Sequence, residues 1–494
     1  MSGKNIIFLM TDQQNPDYVG FSPNSKVATP NIDQIAASVS FANAVSPNPV
    51  CTPARCGILT GRHPHQVGML TTSGDLSPQY RTYMQALQEA GYFTAGIGKF
   101  HLLQGWHWDI ERGQGHNLYG LNEEMKKFGF DYVWEAAGKG LSLKNYCNYA
   151  HYLDEKGLLA KYRDEIVRRG EIGHPEPPDV SIVSEDDYVD VIIADRIIET
   201  IYRRPKGRPF CIFGSFLSPH PMIDPPKRYY ELIEPDETDD FIVAPGQKPL
   251  SPELKQRWYD SRRGYKALIR LIDDQIGRIF AVLEKEDLLE DTVIIFTSDH
   301  GDMLGSKGVD GKDLPWRESV TVPTAIRHPD YLYGRVIDHP IQLIDLTATI
   351  LDVAGLDPQE ALSQDWPAFH DIIPCRSLMP IIRGEKDRIR DFAFSENTMW
   401  EMIQTREWKY IRYRPFGPQY CPSREELYYL PDDQDEVVNV IARKENKPIL
   451  DWCRTRREWV VSSTPTAQIR WAPVIADQGI GGSYQGIAPY FPRR

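Results

Sequence analysis

Residues 4–14 read KNIIFLMTDQQ, and residues 292–301 read TVIIFTSDHG. Each is a short apolar run that ends abruptly in polar residues, which is the pattern of a buried parallel strand. Two further runs share this form, at 92–97 and 209–216. Helix-like stretches lie between the four runs, at 32–37, 83–90, 188–202 and 258–284. The alternation predicts an α/β fold with a central, mostly parallel sheet flanked by helices.

The carboxyl ends of these four strands are the expected place for a functional site. In open α/β sheets, ligands bind beyond the carboxyl ends of the strands. Each predicted strand is followed at once by polar or ionisable residues. We therefore expect one site to collect side chains that are far apart in the sequence.

The sequence changes character after about residue 380. Aromatic and β-branched runs predict a small antiparallel sheet followed by a helix, at 388–394, 400–405, 408–413 and 447–461. We divide the chain into a main α/β domain (1–380), a C-terminal antiparallel-sheet subdomain with its helix (381–461) and an extended tail (462–494). The tail is rich in Gly, Pro and aromatic residues and would allow a homo-oligomer. The charged segment 155–176 and the Pro-rich segment 219–226 are predicted to be loops or excursions from the main domain.

The composition narrows the class of protein and its surroundings. A net charge of −13 argues against nucleic acid or an anionic membrane surface as the main partner. The apolar run before Thr11 has only five residues, too few for a signal peptide, and no run reaches the length of about 18 that a membrane span needs. We therefore expect a cytoplasmic protein without membrane contact. The seven cysteines are odd in number and lack metal-type spacing, which predicts reduced thiols.

The segment CTPARCGILTGR at residues 51–62 carries the chemistry. It has a cysteine four residues before an arginine, a proline midway between them and a closing Leu-Thr-Gly-Arg. This resembles the type I sulfatase signature, Cys-x-Pro-x-Arg followed by Thr-Gly-Arg. The resemblance implies an alkaline-phosphatase-like sandwich with a smaller C-terminal antiparallel sheet and helix. It extends to TPNID at 29–33 and to the stretch from EELY at 425–428 as far as Asn439.

In that family a maturation enzyme oxidises the cysteine to formylglycine (3-oxoalanine). The resemblance implies that Cys51 becomes an aldehyde whose hydrate, a geminal diol, attacks a sulfate monoester and forms a covalent sulfo-enzyme intermediate. Because a sulfate monoester is anionic, the site must supply cations and a deprotonated oxygen together. The second hydroxyl can then expel sulfate by re-forming the aldehyde, a step that a serine could not perform.

Two pairs of candidate metal ligands follow two of the predicted strands. Asp12 and Gln13 come after the first strand, and Asp299 and His300 come after the later one. Oxygen-rich ligands with one imidazole suit Ca²⁺, Mg²⁺ or Mn²⁺. The resemblance makes all four residues ligands, with the hydrate at Cys51 completing the shell, and it favours Ca²⁺. The family more often has Asp-Asp at the first pair, so Gln13 is a departure that lowers the ligand charge and leaves the ion open.

The resemblance also assigns the catalytic cations and imidazoles. Lys99, in a Gly-Lys-x-His element, would bind a sulfate oxygen, and His101 would hydrogen-bond to the diol and assist sulfate release. His220 would bind sulfate or protonate the leaving oxygen. Lys312 would be a second sulfate-binding lysine, and Arg55 would tether the diol and help to hold the metal site.

Other residues are weaker candidates for substrate contacts. Aromatic side chains near a site can stack on a sugar or an aryl group, which suggests Trp106, His107 and Trp108. Arg317 follows Lys312 closely and is predicted to face the same pocket. The histidines at 63 and 65 either line the pocket or pack a loop. The leaving group, whether a sugar, an aryl or an alkyl alcohol, is not readable from these residues.

Three other functions compete with the sulfatase interpretation. A phosphonate monoester or phosphodiester hydrolase shares the fold, the formylglycine and an Asp-Gln first pair, but that branch tends to replace the cations at Lys99 and His101 with neutral residues. A catalytically silent binding protein would be expected to lose one of Cys51, Arg55, Lys99 or His300, and all four are present. An enzyme with a serine or threonine nucleophile is disfavoured because Cys51 occupies that place.

Overall fold

The computed structural model describes residues 3–72, 74–103, 118–143, 145–172, 175–176, 178–364, 372–414 and 424–464. The strands of its central sheet are β1 (Asn5–Asp12), β2 (Val39–Val45), β3 (Phe93–Gly98), β4 (Tyr132–Glu135), β5 (Phe210–Pro219), β6 (Thr292–Ser298), β7 (Thr321–Arg327), β8 (Arg335–Ile337) and β9 (Ile341–Gln342). The α-helices in these ranges are α1 (Pro30–Asp33), α2 (Cys51–Thr60), α3 (Pro64–Val67), α4 (Tyr83–Glu89), α5 (Asn122–Met125), α6 (Asn148–Glu155), α7 (Leu159–Ile172), α8 (Val189–Arg203), α9 (Lys227–Leu232), α10 (Pro252–Lys285), α11 (Arg317–Val320), α12 (Ile344–Val353), α13 (Pro358–Leu362), α14 (Met379–Ile382) and α15 (Lys447–Ser463).

The order of the strands places β1 in the middle of the sheet. Within the described residues the order is β4-β3-β5-β1-β6-β7-β2-β8, and β9 pairs with β2. The first five strands run parallel, whereas β7 is antiparallel to both of its neighbours. The four strands predicted from the sequence are the adjacent β3, β5, β1 and β6, so their carboxyl ends lie at one edge. The predicted α/β fold is confirmed.

Apolar side chains cover both faces of the sheet. Along β1, Ile7 and Leu9 belong to the core on one face, and Ile6 and Phe8 belong to the core on the other. Side chains of α8 and α10 pack on the first face, and those of α2, α4 and α12 pack on the second. A strand buried on both faces must be apolar throughout, which explains the uninterrupted runs in the sequence.

Two local predictions need correction. The helix predicted at 32–37 is a single α-turn, α1, followed by a 3-10 turn at Gln34–Ala37. Segment 155–176, predicted as a loop or an excursion from the main domain, is not a loop, because α7 occupies most of it. The charged side chains of this segment hide a helical period: Leu159, Tyr162 and Ile166 follow i, i+3, i+7 spacing and are buried in the core.

The C-terminal subdomain is an antiparallel sheet of four strands within the described residues. They run in sequence order as β10 (Ala393–Glu396), β11 (Trp400–Gln404), β12 (Trp408–Tyr413) and β13 (Glu425–Tyr429). Apolar side chains of α15, including Leu450 and Cys453, pack on this sheet. The small sheet and its helix confirm the predicted fold class. The residues of β13 were identified only as part of a family motif and not as a strand. Most of the predicted tail, 465–494, lies outside the described residues.

Two further observations bear on the chain as a whole. In the described ranges, none of the helices has both the length and the apolar character that a bilayer span requires. The six cysteines in these ranges are free, buried thiols.

Candidate active site

Cys51 lies at the first residue of α2, and side chains from distant parts of the chain converge on its sulfur. The Cys51 Sγ atom is 3.2 Å from His300 Nε2 and 3.7 Å from Asp12 Oδ1. The ammonium groups of Lys312 and Lys99 donate to the same sulfur at 3.0 and 3.6 Å. The N-terminus of a helix favours negative charge, so helix dipole and lysines act in the same direction. The structure thus brings together residues that the sequence separates by up to 261 positions.

Arg55, one turn further along α2, joins the strand ends around Cys51. Its Nε donates to Asp299 Oδ2 at 2.8 Å, and its Nη2 donates to Asp12 Oδ2 at 3.1 Å. Its Nη1 donates to Ser215 Oγ at 2.7 Å and also to the carbonyl of Lys99. One buried guanidinium therefore contacts β1, β5 and the residues that follow β3 and β6. Ser215 was missed from the sequence, since a lone serine inside an apolar strand carries no signal.

The candidate metal ligands form a buried cluster. Ligand atoms of Asp12, Cys51, Asp299 and His300 all lie within 4.8 Å of one another. Two carboxylates and an imidazole fit a hard or borderline divalent cation. Gln13, with a left-handed φ of 63°, donates its amide nitrogen to Asp302 Oδ2 at 2.7 Å. That contact uses the nitrogen, and the amide oxygen is the atom that a cation would bind, so Gln13 stays a predicted ligand.

Cations of the pocket favour the charged forms of Asp12 and Cys51. Burial and the nearby Cys51 sulfur raise the pKa of Asp12, but Lys99, His220 and Arg55 together hold it well below its usual value. Burial also raises the pKa of the Cys51 thiol, and Lys312, Lys99 and His300 outweigh it, so the pKa lies well below that of a free cysteine. Such surroundings stabilise an anion at position 51.

His101 is held in one orientation beside Cys51. Its Nε2 lies 2.5 Å from the carbonyl oxygen of Ala137 and must carry a proton to make that bond, while its backbone N–H donates to Glu135 Oε1 at 3.3 Å. Burial and the charge of Lys99 lower its pKa to about 4, against a hydrogen bond to Cys51. A neutral imidazole with a proton on Nε2 presents Nδ1 as an acceptor. Glu135, at the end of β4, was missed from the sequence.

His220 follows β5 and is the third imidazole near Cys51 among the described residues. Its Nδ1 lies 2.7 Å from the carbonyl oxygen of Pro221, which leaves Nε2 for the pocket. Burial and the charge of Lys312 lower its pKa, whereas Asp12 and a hydrogen bond to Cys51 act in the opposite direction.

The segment that follows Lys312 is held by the C-terminal subdomain. Asn397 Nδ2 and Trp400 Nε1 both donate to the carbonyl oxygen of Asp313, each at 2.9 Å. Lys409 Nζ donates to the carbonyl oxygen of Pro315 at 3.2 Å. The small sheet therefore fixes the backbone next to a lysine of the pocket, a contribution that the sequence did not indicate.

Of the weaker candidates for substrate contacts, some are described by the structure and others are not. Arg317 binds the Asp17 carboxylate through two N–H groups at 2.8 and 2.7 Å, and its backbone N–H donates to Glu436. His65 pairs with Glu396 at 2.6 Å, so the histidines after the signature pack between the main domain and the C-terminal sheet. The other three candidates lie outside the described residues: Trp106, His107 and Trp108.

The site is suited to bind an anionic ester, because cations and a candidate metal cluster surround Cys51 at the carboxyl edge of a parallel sheet. Comparison with known proteins gives the family. The sulfatase family model matches residues 4–356, and the chain belongs to this family as a sulfuric ester hydrolase.

A curated relative agrees with this family, and two solved structures share the fold. An arylsulfatase from Clostridium perfringens (strain 13 / Type A) is 27% identical, over 91% of this chain and 92% of the relative. Two solved structures share the fold at 20% identity and each cover 94% of this chain. One is a phosphonate monoester hydrolase of Agrobacterium radiobacter, with a TM-score of 0.73 and 96% of its chain covered. The other was solved in complex with its substrate D-glucosamine-2-N,6-O-disulfate, with a TM-score of 0.68 and 98% covered.

Proposed function

We propose that this sulfatase hydrolyses sulfate monoesters with a formylglycine made from Cys51 as its nucleophile. The observation that supports this most directly is the set of contacts at the Cys51 sulfur, where two ammonium groups, an imidazole and a carboxylate lie within 3.7 Å. The hydrate of formylglycine would supply one oxygen to attack sulfur and a second hydroxyl whose ionisation releases sulfate.

The surrounding side chains divide the remaining work. Lys99 and Lys312 bind the sulfate oxygens and neutralise the charge of the ester. His101 accepts a proton at Nδ1 when sulfate is released, since its Nε2 is committed to a carbonyl oxygen. His220 lies at the leaving oxygen, and Arg55 keeps the carboxylates of the strand ends in place.

A divalent cation completes the proposed site. Its ligands would be Asp12, Gln13, Asp299 and His300, together with the modified residue at 51. Bound there, it would act as a Lewis acid on the nucleophile and the ester. Ca²⁺ is the proposed ion, as the family resemblance indicates, with Mg²⁺ and Mn²⁺ as alternatives.

The proposed substrate is a sulfated carbohydrate or an aryl or alkyl sulfate. The arylsulfatase relative and the solved disulfated glucosamine complex support a sulfate ester. The proposed partner in maturation is a formylglycine-generating enzyme that oxidises Cys51.

Phosphonate monoester hydrolysis is the second candidate function. The Asp12-Gln13 pair favours it, and a phosphonate monoester hydrolase shares the fold. Lys99 argues against it, because this buried lysine donates to the Cys51 sulfur and pairs with Asp12, whereas the phosphonate branch tends to have neutral residues there.

Peptide mass spectrometry across Cys51, with assays of one aryl sulfate and one aryl phosphonate monoester on the same preparation, tests the proposal. Formylglycine together with faster sulfate cleavage is the expected result. Formylglycine with faster phosphonate cleavage would establish the second candidate instead. Sulfate cleavage by a preparation that holds only unmodified Cys51 would contradict the proposal that formylglycine is the nucleophile.

A further inference from the structure

Lys139 is a buried lysine that the chemistry above leaves unexplained. Its side chain has no exposed surface, and its ammonium lies 3.1 Å from Asp224 Oδ1 and 3.3 Å from Ser218 Oγ. It also donates to the carbonyl oxygen of Met222 and, at 3.2 Å, to the Tyr188 hydroxyl. Lysines are almost never fully buried unless they are paired, because desolvating the ammonium is unfavourable by several kcal/mol.

Three of these four contacts belong to one short segment, residues 217–224, which carries His220. The hydroxyl of Ser218, the carbonyl of Met222 and the carboxylate of Asp224 all bind the one ammonium. They flank His220 on both sides in the sequence. The ammonium therefore draws the two ends of the His220 segment to a single point.

A second group holds the start of the same segment. Asp190, in α8, accepts the backbone N–H of Leu217 at 2.7 Å and of Ser218 at 3.4 Å through Oδ1. The Tyr188 hydroxyl donates to Asp224 at 2.9 Å and so shares the carboxylate with Lys139. The segment is thus held to helix α8 and to Lys139, which comes from the loop after β4.

The orientation of the His220 ring depends on the backbone of this segment. Its Nδ1 binds the carbonyl oxygen of Pro221. The next residue, Met222, has the carbonyl oxygen that Lys139 binds. A shift of the segment would move both the ring and its internal hydrogen bond. Small displacements of a catalytic group have large effects on rate, since a misplacement of about 1 Å lowers rates by about 100-fold.

We infer that Lys139 is a positioning residue for His220: it holds segment 217–224 so that the imidazole faces the ester oxygen that leaves. This inference rests on the proposed function, in which His220 lies at the leaving oxygen. Lys139 itself does not touch substrate, because its ammonium is fully committed to the segment and to Tyr188.

The kinetic test is a double-mutant cycle of Lys139→Met and His220→Ala, measured with 4-nitrophenyl sulfate and with phenyl sulfate. Phenol is the poorer leaving group and depends more on help at the leaving oxygen. Lys139→Met should lower kcat for phenyl sulfate by about 10- to 100-fold and kcat for 4-nitrophenyl sulfate by less. In the His220→Ala background the second substitution should have almost no further effect on kcat. Equal losses for both substrates, or full additivity in the cycle, would overturn the inference.

Lys266→Met is the matched control. This lysine is also buried and paired with aspartates, at 2.9 Å from Asp236 and 3.5 Å from Asp239, but these partners lie outside segment 217–224. Its removal should lower thermal stability without changing the ratio of kcat between the two sulfates. The same change of ratio in Lys266→Met as in Lys139→Met would show a general effect of lost stability and contradict a positioning role.

Crystal structures of the wild type and of Lys139→Met provide a readout that does not depend on activity. The His220 ring should be displaced or occupy several conformers in the variant, and an unchanged ring would overturn the inference. If the wild-type enzyme cleaves neither aryl sulfate, that result counts against the proposed function alone, and the ring position still decides the role of Lys139.

Discussion

The carboxyl edge of the central sheet and the segment around Lys312 supply the pocket in different ways. At the edge, the parallel strands β3, β1 and β6 deliver Lys99, Asp12 and Asp299 at their carboxyl ends, so the sheet topology brings these residues together. Lys312 comes from a loop, and the backbone after it is held by Trp400 and other residues of a separate small sheet. One half of the site is therefore built on the strands of the main core. The other half depends on contacts between the Lys312 segment and the small C-terminal sheet.

The largest effect on activity is expected at Cys51, which contacts Lys99 from the sheet edge and Lys312 from the loop. Cys51→Ala removes the precursor of the nucleophile, so turnover of an aryl sulfate should fall by about 10⁴-fold or more. Circular dichroism and the unfolding temperature should change little, because the side chain is small. Activity near that of the wild type would contradict the assignment of Cys51 as the precursor of the nucleophile.

Substitutions of Lys99 and Lys312 allow a direct comparison of the two halves of the site. Lys99→Met and Lys312→Met should each lower kcat/KM for an aryl sulfate by about 10²- to 10³-fold, the range typical for loss of one group that stabilises a transition-state anion. Their effects on stability should differ. Lys99 also pairs with buried Asp12, so its loss leaves a buried carboxylate with one cation fewer and should lower the unfolding temperature more. Equal losses of stability would remove the distinction between a built-in half and a docked half.

A smaller effect is expected from the contact that holds the Lys312 segment. Trp400→Phe removes the Nε1–H donor to Asp313, which should lower stability by about 1 kcal/mol and kcat/KM by about fivefold. The activity loss should vanish in a Lys312→Met background, since both changes act through one lysine. Trp408→Phe, on the neighbouring strand β12 where the ring packs on Tyr429, is the control and should leave kcat/KM unchanged. If Trp400→Phe still lowers kcat/KM by about fivefold in the Lys312→Met background, Trp400 does not act through Lys312.

The smallest effect is a pH dependence of docking. Burial lowers the pKa of His65, but Glu396 raises it above its ordinary value overall, and His65 also binds the Thr464 backbone oxygen at the end of α15. A raised folded-state pKa means that this contribution is complete below about pH 6.5 and is lost as the pH rises through the higher folded-state value. The unfolding temperature of the wild type should therefore fall more than that of His65→Gln between about pH 6 and about pH 9. Parallel curves for the two proteins would show that the pair does not contribute.

The same comparison explains what the sequence could predict. Apolar runs that end in polar residues identify strands and their carboxyl ends, so the sheet and the residues at its edge were predictable from periodicity and from the family motif. The contacts that hold the segment after Lys312 were not predictable. Asn397 and Trp400 lie 84 and 87 residues from Asp313, and their side chains bind only its backbone carbonyl oxygen. Lys139 and Ser215 likewise have no local pattern, since their roles depend on which segment packs beside them.

The burial of Cys51 has a consequence for the order of events during biosynthesis. Only 3% of this residue is exposed, and its closest partners, His300 and Lys312, are made about 250 residues later. In the proposed maturation, a separate enzyme would need to reach this thiol, which the finished fold buries. If Cys51 is oxidised as proposed, the nascent chain must be modified while the second half of the sheet is still being synthesised, or at least before it closes. Expression conditions that hasten folding relative to maturation would then yield well-folded protein that stays permanently inactive.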